Sequence, residues 1–143
     1  MDTADDLLRL IIGAHALTRI ASLETRNEAP AAQWRTLSLL RDYGPQRLGD
    51  LARISRVSQP GMTRLASQMV DAGLLARASD PTDSRVSVLS ITEQGSVALL
   101  EWHRVLRAAL APHFAGIADD DRAALHRAAD ILLAATHSLE ATR

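Results

Sequence analysis

The feature that most constrains this chain is the run Asp80-Pro81-Thr82-Asp83-Ser84-Arg85, set between two β-prone stretches. Gly73-Leu74-Leu75-Ala76-Arg77 leads into it and Val86-Ser87-Val88-Leu89-Ser90-Ile91 leads out. Pro81 has no backbone N–H to give a ladder. The Asp, Ser and Thr side chains compete for their own backbone, so the run reads as the loop of a β-hairpin. The remainder of the chain is patterned as helix. The expected fold is therefore mainly α with a small β-hairpin, in the order α-α-α-α-β-β-α-α.

The helices can be placed from apolar spacing and punctuation. Leu7, Leu10, Ile11, Ala14, Leu17 and Ala21 mark a first helix from about Thr3 to Glu24, and Leu8, Ile12 and Ile20 widen its stripe. So broad an apolar surface predicts burial against more than its own domain. Asn27-Glu28-Ala29-Pro30 breaks this helix. A second helix follows over Ala31 to Asp42, with Trp34, Leu37 and Leu40 inward, and Gly44-Pro45 ends it. Leu48 to Ser55 forms a short third helix, and Arg56-Val57 turns the chain. Ser58 is placed to cap a fourth helix with Pro60 in its first turn, and this helix stops at Gly73. After the hairpin, Thr92 caps a fifth helix running to about His113. Asp119-Asp120-Asp121 then puts negative charge at the start of a sixth. On that last helix Leu125, Ala128, Leu132, Ala135 and Leu139 form a heptad-like seam.

Composition removes several function classes. The 143 residues contain no cysteine, so disulfides, thiolate metal sites and thiol redox switches are excluded. The chain lacks the roughly 18-residue apolar run that a membrane span requires. Its first residues, Met1-Asp2-Thr3-Ala4-Asp5-Asp6, are acidic rather than basic, so no secretory signal is read and a cytoplasmic location without membrane partners is expected. No Gly-rich phosphate loop, nucleophile elbow or metalloprotease helix is present, so neither an enzyme nor a cofactor is expected. His15, His103, His113, His126 and His137 include no i,i+4 pair, and no metal site is read from them.

Net charge is −1, but its distribution is uneven. Between residues 35 and 85 lie Arg35, Arg41, Arg47, Arg53, Arg56, Arg64, Arg77 and Arg85, against Asp42, Asp50, Asp71, Asp80 and Asp83, a balance of +3. The flanks carry −4. A basic middle between acidic ends is the distribution expected if only the middle meets phosphate.

The third and fourth helices, joined by a tight turn, read as a helix-turn-helix. In the fourth, Met62, Leu65 and Met69 share an inward face. Ser58, Gln59, Pro60, Thr63, Arg64, Ser67 and Gln68 are left at the helix start and on the outward side. Gln can pair with adenine edges, Arg with guanine or phosphate, and Thr with phosphate or a thymine methyl. With an arginine-tipped hairpin beside such a helix, the residues point to a winged-helix binder of double-stranded DNA. The competing reading is a winged-helix protein-interaction module, which needs no positive stripe.

From about Leu48 to Gly95 the chain resembles the MarR family of bacterial transcription regulators. The matching residues are Leu51-Ala52, Val57-Ser58-Gln59-Pro60, Thr63-Arg64-Leu65, Gly73-Leu74-Leu75, Asp83-Ser84-Arg85 and Leu89-Ser90-Ile91-Thr92-Glu93-Gln94-Gly95. Element order and length extend the likeness to essentially the whole chain. The resemblance implies a homodimeric repressor on a pseudo-palindromic operator. Residues 1–30 and 93–143 would form a helical dimerisation region, and residues 31–92 a winged helix-turn-helix DNA-binding lobe. It also implies that Arg85 is the wing arginine reaching DNA and that Asp83 orients it. A small phenolic or anionic ligand is implied in a crevice between the dimer helices and that lobe, with His15, Arg19, Trp34 and Trp102 as its candidate lining. Arg56 departs from the pattern, because a glycine is usual where it stands. If the backbone there needs a positive φ, the arginine is strained, or else it contacts phosphate.

Overall fold

The computed structural model describes residues 2–141. Met1, Thr142 and Arg143, which fall in the expected dimerisation region, lie outside the described residues. In chain order the elements are α1 (Thr3–Thr25), α2 (Ala31–Tyr43), β1 (Gln46–Arg47), α3 (Leu48–Ser55), α4 (Gln59–Asp71), β2 (Leu75–Ser79), β3 (Ser87–Ile91), α5 (Glu93–Leu110), a 3-10 turn (Ala111–Phe114) and α6 (Asp119–Ala141). The mainly helical fold with a hairpin is the one expected, with two local differences.

The first difference is β1. Its two residues pair antiparallel with β3, Gln46 opposite Leu89 and Arg47 opposite Val88, so the sheet order is β1-β3-β2. A strand this short has no alternation to read, and only its partner defines it. The second is the end of α5, expected near His113 and observed at Leu110. Pro112 cannot donate to the carbonyl one turn earlier, so the α-helical ladder gives way to the 3-10 turn.

One core holds the middle of the chain together. Leu37 and Leu40 of α2, Leu48, Leu51 and Ala52 of α3, and Met62, Leu65, Ala66 and Met69 of α4 pack with Leu75, Leu89 and Leu99. The inward face expected for the fourth helix is therefore the observed one. The two outer helices differ. Leu7, Leu8, Ile11 and Ile12 of α1 and Leu125, Ile131 and Leu133 of α6 are all exposed. The seam expected along the sixth helix is not buried within the chain.

The junction between β3 and α5 is tightly built. Thr92 caps α5, its Oγ1 accepting from the Gly95 N–H at 3.0 Å and donating to the Gly73 carbonyl at 2.6 Å. The Thr92 N–H donates to the Leu74 carbonyl at 3.1 Å. That carbonyl stands where a side chain on residue 95 would begin, 2.2 Å from an ideal Cβ position. The Thr-x-x-Gly spacing thus has a direct cause. Threonine caps the helix, and glycine lets the helix start pass against the chain leaving α4.

Candidate nucleic-acid interface

The turn between α3 and α4 begins at Arg56, whose φ of 54° and ψ of 40° are left-handed. The Val57 N–H bonds to the Ala52 carbonyl at 3.0 Å, and the Arg56 N–H to the Arg53 carbonyl at 3.2 Å. This is a Schellman ending. The end of α4 repeats it, with Leu74 N–H to Met69 O and Gly73 N–H to Val70 O, both at 2.9 Å, but there glycine takes the left-handed position at φ 79°. The positive φ that would strain Arg56 is therefore present. An L-residue other than glycine gives up about 1 kcal/mol to hold it.

Ser58 caps α4 as expected, its Oγ accepting from the Gly61 N–H at 3.1 Å. Gln59, Pro60, Thr63, Arg64 and Gln68 are exposed on the outward side. The Thr63 hydroxyl donates to the Gln59 carbonyl at 2.9 Å, leaving its lone pairs outward. Ser67 departs from the outward set. It is half-buried, and its Oγ accepts from Arg77 of β2 at 3.2 Å. The arginine covers it and fastens the hairpin to α4.

The hairpin tip is held by two aspartates. Asp80 is nearly buried and gathers the turn: one oxygen accepts from the Thr82 N–H at 2.8 Å, the Thr82 hydroxyl at 2.6 Å and the Asp83 N–H at 3.3 Å. The other accepts from Arg47 Nε of β1 at 2.8 Å. The Thr82 hydrogen bonds come first in holding its pKa down to about 2, with the Arg47 charge adding to them. Asp83 clasps Arg85 in a fork. Nε donates to Oδ1 at 3.1 Å and Nη2 to Oδ2 at 3.2 Å, and the Arg85 N–H also donates to Oδ1 at 3.0 Å. These bonds lower the Asp83 pKa. The Arg85 side chain is 88% exposed. So open a pair adds little stability, but it fixes the direction of the guanidinium.

For three residues at this site the sequence named no partner: two arginines counted as charges, and an aspartate placed in the hairpin loop. Arg47, Arg77 and Asp80 bind the hairpin to its surroundings, and their partners lie 33, 10 and 2 residues away respectively. Only the Asp80-x-Thr82 spacing, typical of an Asx turn, could have been seen beforehand.

The candidate ligand residues divide. Trp34 and Trp102 stack at 5.2 Å between centroids with 16° between planes. Both line a cleft of about 640 Å³ together with Arg35, Ser55, Arg56 and His103. His15 and Arg19 are exposed on α1 and are not among its lining. Burial lowers the His103 pKa, and the charges of Arg41 and Arg107 lower it further. Among the described residues no group of three or more His, Cys, Asp or Glu could hold a metal ion, and no helix is long and apolar enough to cross a membrane.

A family model described as MarR family matches residues 30–87, the stretch from the start of α2 to the first residue of β3. An HTH-type transcriptional regulator of Mycobacterium tuberculosis is 33% identical over 103 residues, 72% of each chain. The chain belongs to the MarR family. It is a DNA-binding transcriptional regulator, not an enzyme, and the reading as a protein-interaction module gains no support. Solved structures agree on the fold. RV1404 from Mycobacterium tuberculosis superposes with a TM-score of 0.70 at 23% identity, covering 94% of each chain. BpsR of Bordetella bronchiseptica, described with a mechanism by which 6-hydroxynicotinic acid regulates its DNA binding, gives 0.60 at 22% identity over 92% of each chain.

Proposed function

We propose that this MarR-family chain is a cytoplasmic homodimeric repressor that binds a pseudo-palindromic operator and is released by a small phenolic or anionic ligand. The observation that carries the reading is Arg85, almost fully exposed yet held in one direction by Asp83. An arginine fixed in this way loses little freedom on entering a narrow minor groove, while α4 presents Ser58, Gln59, Pro60, Thr63, Arg64 and Gln68 to the major groove. Ser67 serves by anchoring Arg77. Residues 31–92 are the DNA-binding lobe, and residues 1–30 and 93–143 the dimerisation region. The exposed Leu8, Ile11 and Ile12 of α1 support the latter, because an apolar helix face of this extent is stable in water only when covered. Two lobes related by a two-fold axis then meet half-sites about one helical turn apart.

The ligand reading rests on the cleft that contains Trp34 and Trp102, and BpsR offers the analogy of small-molecule control. Ligand in the cleft shifts the spacing of the two recognition helices and weakens DNA binding. The test is a salt-titrated binding assay on DNA flanking the chain's own gene beside a scrambled duplex. Preferential binding that weakens steeply with salt supports an autoregulating repressor. Equal binding to both duplexes at every salt concentration counts against operator recognition there.

A further inference from the structure

Tyr43 and Glu140 are 97 residues apart in sequence and meet where the end of α6 reaches the end of α2. The phenol hydroxyl donates to Glu140 Oε2 at 2.5 Å. One turn earlier on α6, His137 stacks on the same ring, with 5.2 Å between centroids and 20° between planes. The hydrogen bond to the Glu140 carboxylate raises the Tyr43 pKa to about 12, so the phenol stays a donor throughout the neutral range. Tyr43 is thus held twice by α6, once through its hydroxyl and once through its ring.

Around this contact the chain is open. Three clefts, of about 650, 640 and 470 Å³, are each lined by both Tyr43 and Glu140. The first two also reach Ile54 and Arg56 of the helix-turn-helix, and the third reaches Leu133 and Thr136 of α6. A polar strut between open spaces has no close-packed neighbours to fix the distance it spans. The apolar residues of α6 do not fix it either, since Leu125, Ile131, Leu133 and Leu139 are exposed. From Tyr43 the chain leads to the wing. Gln46 Nε2 donates to the Tyr43 carbonyl at 3.4 Å, and Arg47, next along β1, holds the hairpin tip through Asp80. A displacement of Tyr43 therefore passes along β1 to the hairpin that bears Arg85.

We infer that the Tyr43–Glu140 hydrogen bond, with His137 stacked beside it, is the strut that sets the angle of the DNA-binding lobe on the dimer helices, and so selects the half-site spacing that the dimer accepts. This rests on the homodimer proposed above and adds the residues that fix its geometry. All three are positioning residues, acting on DNA only through the lobe they orient. Two lobes on one duplex must match a fixed separation. Lobes free to tilt populate several separations, and a duplex of any of these spacings then selects its own.

The experiment exploits the absence of cysteine. Asp71→Cys places one nitroxide at the exposed end of each α4, away from the residues assigned to DNA. Electron–electron dipolar spectroscopy then reads the distance between the two labels of a dimer. In this parent one narrow distance is expected. Tyr43→Phe keeps the ring and loses only the hydroxyl, and Glu140→Ala loses the acceptor. Both should broaden the distribution to the same extent, while the urea midpoint stays in place because an exposed bond adds little stability. Glu140→Gln keeps an acceptor and should restore the narrow distance. In selection from random duplexes the parent should enrich half-sites at one spacing, and Tyr43→Phe the same half-sites at several. A Tyr43→Phe distribution that overlays the parent, or a broadening that Glu140→Ala does not share, overturns the inference. Enrichment of one common spacing by both proteins overturns the selective role. Monomers in sedimentation with no dipolar signal would remove the homodimer reading and the inference with it, whereas dimers with unaltered distances remove the inference alone.

Discussion

Replacing Gly95 with alanine tests the junction that joins the recognition lobe to α5. The new Cβ would sit 2.2 Å from the Leu74 carbonyl oxygen and 3.0 Å from Ile91 Cγ1. An ordinary carbon–oxygen approach is about 3.3 Å, so roughly 1 Å of separation is required. The obstacle is backbone, and it is held: Leu74 O accepts the Thr92 N–H, and the adjacent Gly73 carbonyl accepts the Thr92 hydroxyl. Moving it forfeits a hydrogen bond worth about 1 kcal/mol. Overpacking adds about 1–3 kcal/mol, and the better helix propensity of alanine returns up to about 1 kcal/mol. The net is a loss of about 2 kcal/mol. With a urea m-value of about 1.5 kcal/mol/M, the midpoint should fall by roughly 1.3 M. Gly49→Ala is the matched control. Gly49 is exposed in α3 with nothing within 4 Å of its ideal Cβ, so alanine there should raise the midpoint. Both variants are compared with wild type at one protein concentration, followed by circular dichroism. A Gly95→Ala midpoint equal to or above that of wild type would refute the claim that the Leu74 carbonyl is fixed in place.

Other expectations follow from the same geometry. Arg85→Ala should weaken operator binding about tenfold or more while leaving the oligomeric state unchanged in sedimentation, and equal affinity would remove the wing from the interface. Arg56→Gly should stabilise the fold by up to about 1 kcal/mol, seen as a higher urea midpoint; a lower one would mean the left-handed turn is not strained. Asp80 has a folded pKa near 2, below its unfolded value of about 4, so the unfolded chain holds the proton more readily between the two. Its contribution is complete above about pH 4 and disappears as the pH falls toward 2. The melting-temperature gap between wild type and Asp80→Asn should therefore close over that window, and a constant gap would show that charge is not what Asp80 contributes. Leu8→Arg together with Ile12→Arg should yield monomers and abolish tight operator binding. Dimers that persist in sedimentation would place the interface elsewhere.

What could be read beforehand divides along the range of the interactions. The capping bonds of Ser58 and Thr92 reach three residues along the chain, as local as the Pro60 and Gly73 punctuation, and the sequence carries such signals directly. The inward face of Met62, Leu65 and Met69 needs only helical period. The Asp83–Arg85 fork spans two residues and was legible for the same reason. Arg47–Asp80 joins positions 33 apart, and β1 exists only because β3 lies beside it. Neither has a local pattern. Trp34 and Trp102 met because α2 and α5 pack together, whereas His15 and Arg19 stayed outside the cleft, since residue type alone does not say which helix face will be enclosed.

The same distinction separates the two ways this site is held. Local bonds set directions: Ser58 aims the start of α4 and Asp83 aims Arg85. Distant bonds set positions: Arg47 fastens the hairpin tip to β1 through Asp80, and Arg77 fastens β2 to α4 through Ser67. A reading surface built from a helix and a hairpin needs both kinds, because the groove fixes the distance between them. Direction without position would leave Arg85 well oriented over the wrong phosphate. Removing Arg77 should therefore reduce discrimination between operator and scrambled DNA more than it reduces affinity for the scrambled duplex. An equal loss on both in a competition assay would show that Arg77 contributes charge alone.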